Sequence, residues 1–70
     1  MNFSDALNAI KDGKYLNRTG WQTKDAVIYL IANRYNPNHL PYIELRTVSG
    51  GTMYSANAAD LLAEDWEIRE

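Results

Sequence analysis

The chain has 70 residues, a formal charge of −2, one histidine and no cysteine. This length makes one domain, residues 1–70, with a marginal core. The missing cysteines exclude disulfides and thiolate metal sites, and the scattered basic residues argue against a binder of DNA or RNA. Natural domains of this size usually gain support from disulfides, a metal or a partner chain. A partner chain is the support that remains, so we expect a homo-oligomer.

The first predicted element is a helix. Its apolar residues recur at spacings of three and four: Phe3, Ala6, Leu7 and Ile10. This one-sided stripe predicts an amphipathic helix over residues 4–12. Ser4 is the expected N-cap and Gly13 is expected just beyond the last turn. A short strand over residues 14–18 follows.

Residues 26–32 form the most apolar stretch, Ala-Val-Ile-Tyr-Leu-Ile-Ala. An uncharged run of this length, bounded by polar residues, is typical of a strand buried on both faces. It is too short for a membrane span, which needs about 20 apolar residues. We expect it to be the central strand, reached through a loop over residues 19–25. In that loop, Trp21 is interpreted either as a lid on the core or as a stacking platform at the mouth of a binding cleft.

The second half of the chain predicts a turn, a hairpin, a helix and a last strand. The elements expected, in order, are a polar excursion over 33–40 with a turn at 36–38, a strand over 42–48, a tight turn at 49–51, a strand over 52–54, a helix over 56–63 capped by Ser55, and a strand over 66–68. In the last strand, Trp66 and Ile68 share a face that we place against the core. The predicted fold class is α+β, a single domain with a small antiparallel sheet of about four to five strands and two short helices.

No arrangement of residues in the sequence predicts catalysis or metal binding. The chain has no Gly-x-Ser-x-Gly motif and no glycine-rich phosphate loop before a helix. His39 is interpreted as an ordinary loop residue. The acidic residues near the C-terminus fall on several faces, which favours a solvated surface over a metal or acid–base group: Asp60, Glu64, Asp65, Glu67 and Glu70. We therefore expect a binding or structural protein with no catalytic residues, metal or cofactor. Without a signal peptide, the expected location is cytosolic.

Four segments together resemble a known family. They are Met1-Asn2-Phe3-Ser4 with Ala6-Leu7, the Arg18-x-Gly20-Trp21 loop, Leu40-Pro41-Tyr42-Ile43, and the closing nonapeptide Asp60-Leu61-Leu62-Ala63-Glu64-Asp65-Trp66-Glu67-Ile68. The chain resembles, nearly end to end, the second Thoeris anti-defence family of phage and prophage domains. The closing nonapeptide is the most specific of these segments.

The resemblance implies a non-enzymatic protein that sequesters immune signals. Members of the family bind cyclic nucleotides, mainly glycocyclic ADP-ribose and in some cases cyclic dinucleotides, and block Thoeris- or CBASS-type immunity in the host cytoplasm. They assemble as homotetramers, dimers of dimers, with pockets at subunit interfaces. Neither a nucleic-acid polymer nor a membrane is an expected partner.

The resemblance also implies a set of ligand-binding residues: Arg18, Gly20, Trp21, Tyr54, Ser55, Asn57 and Asp60. Trp21 would stack on adenine, and Arg18 would pair with a phosphate. Ser55 and Asn57 would contact phosphate or ribose, and Asp60 would accept from a ribose hydroxyl or a base amine. Three of these residues also have an interpretation without a ligand. Ser55 would then serve only as a helix cap, Asp60 only as a solvated group, and Arg18 only as the partner of a surface carboxylate.

The chain departs from the family pattern at two positions, with Tyr54 where a Trp is frequent and Ala56 where a Pro is frequent. Two alternatives to a signal-binding protein stay open at this stage. One is a small phage structural or interaction domain without a small-molecule ligand. The other is a phosphodiesterase acting on the same signals, which the absence of metal-ligand motifs disfavours.

Overall fold

A computed structural model describes residues 1–23, 25–31 and 40–69. Its elements, in chain order, are α1 (Phe3–Lys11), β1 (Tyr15–Arg18), β2 (Val27–Ile31), β3 (Tyr42–Thr47), β4 (Gly50–Met53), α2 (Ala58–Leu62) and β5 (Trp66–Arg69). The strands form one antiparallel sheet in the order β4-β3-β2-β1-β5. The predicted α+β class is confirmed, and β2 lies at the centre of the sheet as expected.

Helix α1 begins one residue before the predicted cap Ser4, and it ends just before Gly13, as expected. Asn2 is the N-cap, because its side chain accepts from the Asp5 backbone N–H at 2.9 Å. Ser4, predicted as the cap, lies inside the first turn. At the other end, Gly13 has a φ of +90°, and its N–H donates to the Ile10 carbonyl at 2.9 Å. A left-handed residue at this position reverses the chain toward β1, and glycine adopts it without steric cost.

One face of the sheet carries the core. The register sets Leu16 opposite Ile28, and it sets Arg18 opposite Trp66. Since alternate residues of a strand share a face, Arg18 lies on the same face as Leu16, at the end of β1 where the core meets solvent. Helix α1 covers this face, and the core consists of five buried residues: Ala6, Ile10, Leu16, Ile28 and Trp66.

The opposite face of the sheet is more exposed. Tyr15 and Tyr29 stack there with ring centroids 4.8 Å apart, beside a cluster of Tyr29, Glu44 and Arg46. Among the described residues, no helix packs on this face. In β2 only Ile28 is buried, while its other residues are partly exposed. The expected burial of β2 on both faces is therefore not present in the single chain.

Several boundaries differ from the sequence predictions. The β3–β4 turn lies at residues 48–49, so Gly50 already pairs with Thr47 instead of forming the turn. Asn57, not Ser55, is the N-cap of α2, because its side chain accepts from the Asp60 backbone N–H at 2.8 Å. Ile68 is 43% exposed, so only Trp66 of the last strand enters the core. The predicted turn at 36–38 and His39 lie outside the described residues.

Candidate functional site: a cleft between the Trp21 turn and the second helix

A tight turn at the end of β1 positions Trp21. The Trp21 N–H donates to the Arg18 carbonyl at 3.2 Å, which closes the turn. The Gly20 N–H donates to Asp65 Oδ2 at 2.8 Å. A Cβ at Gly20 would lie 2.8 Å from that same oxygen, closer than real Cβ contacts. Glycine at this position therefore lets the turn lie directly against the Asp65 carboxylate.

Arg18 joins the turn to the C-terminal part of the chain through two carboxylates. Its Nε donates to Asp65 Oδ1 at 2.7 Å, and its Nη1 donates to Asp60 Oδ1 at 2.9 Å. The Arg18 side chain is 19% exposed. The hydrogen bond from Arg18 holds the pKa of Asp65 below its usual range, and the two carboxylates raise the pKa of Arg18. Arg18 is thus a partly buried cation that is already paired.

Asp60 is the buried centre of this cluster, with 6% of its surface exposed. Its carboxylate accepts from Arg18, from Trp21 Nε1 at 3.3 Å and from the Tyr54 hydroxyl at 2.6 Å. Burial raises the Asp60 pKa, but hydrogen bonds from Tyr54, Arg18 and Trp21 outweigh that effect and leave the pKa lowered. Burial and Asp60 together raise the pKa of Tyr54. Asp60 is therefore ionised at neutral pH, and its carboxylate accepts from three side chains.

The aromatic side chains at the site contact one another. The Trp21 and Tyr54 ring centroids are 6.5 Å apart with planes tilted by 57°, and Trp21 meets Trp66 edge to face at 5.3 Å. These are direct aromatic contacts, so no flat base fits between Trp21 and Tyr54 as they stand. A base would stack on an outward ring face. The Trp66 indole N–H donates to the Asp60 carbonyl at 3.0 Å, which ties the core to the site.

An open cleft of about 530 Å³ lies beside these rings. It is lined by Arg18, Gly20, Trp21, Gln22, Thr23, Ala26, Leu45, Thr47, Tyr54, Ser55, Asn57 and Asp60. All seven residues that the sequence resemblance indicated are among them. The volume falls within the range of about 300–1,000 Å³ that is usual for small-molecule sites.

The structure gives several of these residues a role that the sequence did not predict. Asn57 caps α2, and Ser55, expected to be the cap, is exposed at the cleft wall. The Asp60 carboxylate and the Arg18 guanidinium contact each other. Together with Asp65, they hold one positive and two negative charges, a net charge of −1. A phosphate at Arg18 would have to compete with two carboxylates.

Asp65 is a residue of the site that sequence reasoning missed. It was interpreted as part of a solvated acidic surface, yet its carboxylate accepts from Arg18 and from the Gly20 N–H. The available signal was its position in the closing nonapeptide, the most specific part of the resemblance. In the described parts of the chain, no group of three or more His, Cys, Asp or Glu residues is arranged to hold a metal ion.

None of the helices in the described residues is long and apolar enough to cross a membrane. A search of curated proteins gave no significant match. A family profile described as the Thoeris anti-defense 2-like domain matches residues 1–69. This match covers nearly the whole chain and includes every residue of the cleft. The chain therefore belongs to the Thoeris anti-defense 2-like family, and its role is anti-defence.

Proposed function

We propose that this protein binds a cyclic nucleotide immune signal in the cleft and holds it away from its effector without cleaving it. Family membership supports the anti-defence role. The observation that carries the proposal is the cleft itself, whose volume suits a small molecule and whose lining joins two aromatic rings to several hydroxyl and amide groups. Glycocyclic ADP-ribose is the leading ligand, and cyclic dinucleotides are the second class.

The charge distribution defines how such a ligand would lie. Because Arg18 is paired with Asp60 and Asp65, the phosphates would avoid this net negative cluster. They would meet neutral donors on the cleft wall, such as Thr23 and Ser55, while a base stacks on an outward face of Trp21. Arg18 remains a predicted phosphate contact only if the ligand displaces a carboxylate from it.

The lining offers no group that would cleave the ligand by a standard route. Its hydroxyls have no neighbouring histidine or lysine base among the described residues, and Asp60 is occupied by three donors. We therefore propose a binding protein and not a phosphodiesterase. On this proposal the protein acts in the host cytoplasm, where the signal is made.

We also propose that the chain forms a homotetramer, a dimer of dimers. A 70-residue chain buries a small core, and the sheet face carrying Tyr15 and Tyr29 has no helix on it in the described part of the chain. Light scattering coupled to size exclusion tests this directly. A folded monomer at micromolar concentration would overturn the oligomer without affecting the cleft.

The binding proposal is tested by thermal stabilisation and calorimetry against a panel that contains glycocyclic ADP-ribose, cyclic ADP-ribose and cyclic dinucleotides. At 100 times the dissociation constant, a ligand adds about 2.7 kcal/mol to the free energy of unfolding. No stabilisation by any member would reject the proposal. Heating the complex and analysing the released ligand by mass spectrometry distinguishes a binding protein from a phosphodiesterase. A binding protein releases the ligand intact, whereas a phosphodiesterase releases it cleaved.

Trp21→Ala should weaken binding by about 5- to 150-fold, since a stacking ring contributes roughly 1–3 kcal/mol. Leu62→Ala is the control, because Leu62 is 81% exposed and does not line the cleft. Calorimetry on both variants, with circular dichroism to verify folding, gives the comparison. Normal binding by a folded Trp21→Ala variant would remove Trp21 from the site.

A further inference from the structure

A single carboxylate holds both aromatic walls of the cleft. Asp60 Oδ1 accepts from the Trp21 indole at 3.3 Å, and Asp60 Oδ2 accepts from the Tyr54 hydroxyl at 2.6 Å. We propose that Asp60 is the positioning residue of the cleft, which fixes the orientation of both rings and does not itself contact the ligand. The effect on binding rests on the function proposed above, whereas the effect on the rings does not.

The position of Asp60 leaves little room for a direct contact with a ligand. Only 6% of the residue is exposed, and Oδ1 also accepts from Arg18 Nη1 at 2.9 Å. A ligand hydroxyl or amine would have to reach a nearly buried carboxylate that already accepts from three donors. The backbone of Asp60 is fixed as well, because its N–H donates to Asn57 and its carbonyl accepts from Trp66.

Packing against the core and backbone hydrogen bonds place Trp21 and Tyr54, and Asp60 holds the polar atoms of their side chains. Trp21 lies in a loop whose next residues, Gln22 and Thr23, are exposed, and Tyr54 follows the last residue of β4. The indole N–H of Trp21 and the hydroxyl of Tyr54 both donate to Asp60, which fixes the rotation of each ring in addition to the ring contacts. Without that acceptor, a ligand has to order both side chains when it binds, and the cost of ordering reduces affinity.

The first test observes the rings without any ligand. The chain has two tryptophans, so an ¹H–¹⁵N spectrum contains two indole N–H signals, which Trp21→Phe assigns. In the parent protein we expect the Trp21 signal to move as acid protonates Asp60. In Asp60→Asn the signal should lie elsewhere and lose most of this response. Glu64→Gln, which removes a nearby exposed carboxylate, should leave the signal and its titration unchanged.

Other charged and titratable groups around Asp60 could also shift the Trp21 signal as the pH falls. They are Arg18 from β1, Tyr54 after β4, and Asp65 before β5. Arg18 and Tyr54 have raised pKa values and stay protonated in acid. Asp65 titrates in the same acid range but reaches Trp21 only through Arg18 and the turn. Its contribution persists in Asp60→Asn, whereas that of Asp60 disappears.

The second test measures binding of glycocyclic ADP-ribose by calorimetry. Asp60→Asn should lower the affinity by about tenfold or more, the equivalent of one good hydrogen bond, while Glu64→Gln stays within about twofold. A Trp21 signal that is unchanged in Asp60→Asn would overturn the proposal. So would an altered signal with unaltered affinity, since Asp60 would then be structural only. If the parent does not bind this probe, the measurement is made with the cyclic dinucleotide that binds; if no member of the panel binds, the proposed function fails, and the indole titration still decides whether Asp60 positions the rings.

Tyr54→Phe is the second variant, and it tests the positioning role of Asp60 even if Asp60→Asn does not fold. This variant removes one hydroxyl and leaves the Arg18–Asp60 ion pair in place. We expect the remaining ring to lose its fixed orientation and the affinity to fall by about threefold to tenfold. An affinity equal to that of the parent would reject the positioning role.

Discussion

The molecule carries two similar polar clusters on opposite faces of one sheet. Each joins an arginine, a tyrosine and a carboxylate: Arg18 with Tyr54 and Asp60, and Arg46 with Tyr29 and Glu44. They differ in the burial of the arginine and in the segments they connect. The Arg18 side chain is 19% exposed and reaches carboxylates 42 and 47 positions away. The Arg46 side chain is 55% exposed and pairs two positions away.

The burial of the arginine decides how much each cluster contributes to stability. An exposed local ion pair contributes little to stability because water and salt screen it. A partly buried pair becomes costly when one partner is removed, since the other charge is left in a poorly solvated place. The Arg18 cluster therefore holds the C-terminal part of the chain on the Trp21 turn, and so it determines the shape of the cleft. The Arg46 cluster lies on the open sheet face, away from the cleft.

The largest expected effect comes from deleting the two arginines in turn. Arg18→Met should lower the free energy of unfolding by about 2 kcal/mol, less than the ~3–5 kcal/mol of a fully buried pair because Arg18 is partly exposed. Arg46→Met should cause a change too small to resolve by urea denaturation. Equal losses for the two variants would remove the distinction between the clusters.

Two glycines offer a smaller test of the same contrast. A Cβ at Gly20 would lie 2.8 Å from Asp65 Oδ2, and a Cβ at Gly51 would lie 2.7 Å from Glu44 Cδ. The Asp65 carboxylate is fixed by Arg18 and by the Gly20 N–H, whereas Glu44, although it accepts from Tyr29 and Arg46, has one more rotatable bond through which it can adjust. Gly20→Ala should therefore lower the Tm by several degrees, which corresponds to about 1 kcal/mol, and Gly51→Ala should lower it less.

Thermal scans of both alanine variants by circular dichroism measure this difference. Adding Asp65→Ala to Gly20→Ala provides the control, because the new methyl group then has no carboxylate to meet and should cost less than it does in the parent. A larger loss for Gly51→Ala than for Gly20→Ala would show that Glu44 is the more rigid carboxylate.

Acid sensitivity gives the smallest expected effect. The pKa of Asp60 and the pKa of Asp65 are lowered in the folded chain. Their stabilising contribution is therefore complete above the unfolded value of about 4 and is lost as the pH falls through the folded pKa. Asp60→Asn should flatten the fall in Tm between about pH 5 and pH 2. Glu44→Gln acts in the same direction, because Glu44 also has a lowered pKa, but less strongly. Parallel curves for parent and Asp60→Asn would contradict this expectation.

Much of the fold was predictable because local chemistry determines it. The stripe from Phe3 to Ile10 indicated α1, and Gly13 indicated its end, since both depend on short-range geometry. The caps were predicted less well. Asn2 and Asn57 take positions assigned to Ser4 and Ser55. Both residue types cap helices, and the choice between neighbours depends on where tertiary packing starts the first turn.

The sequence predicted several residues that lie at the site, but not which of them contact one another. The resemblance indicated seven of the twelve residues that line the cleft, among them Trp21 and Tyr54. Periodicity could not reveal that Arg18, Asp60 and Asp65 meet, because their contacts span more than 40 positions of the sequence. Asp65 was for this reason interpreted as a solvated residue. Long-range pairing of polar groups has no short-range sequence signature.

The edge-to-face contact between Trp21 and Trp66 has a consequence for how the protein can be observed. Two indoles with centroids 5.3 Å apart and planes at 80° are close enough for their excited states to couple. Such coupling gives an exciton couplet in circular dichroism, which reports the relative orientation of two chromophores. One of them is anchored in the core and the other stands at the cleft. A rotation of the Trp21 indole would therefore change the shape of this couplet, and circular dichroism would detect it without an added label.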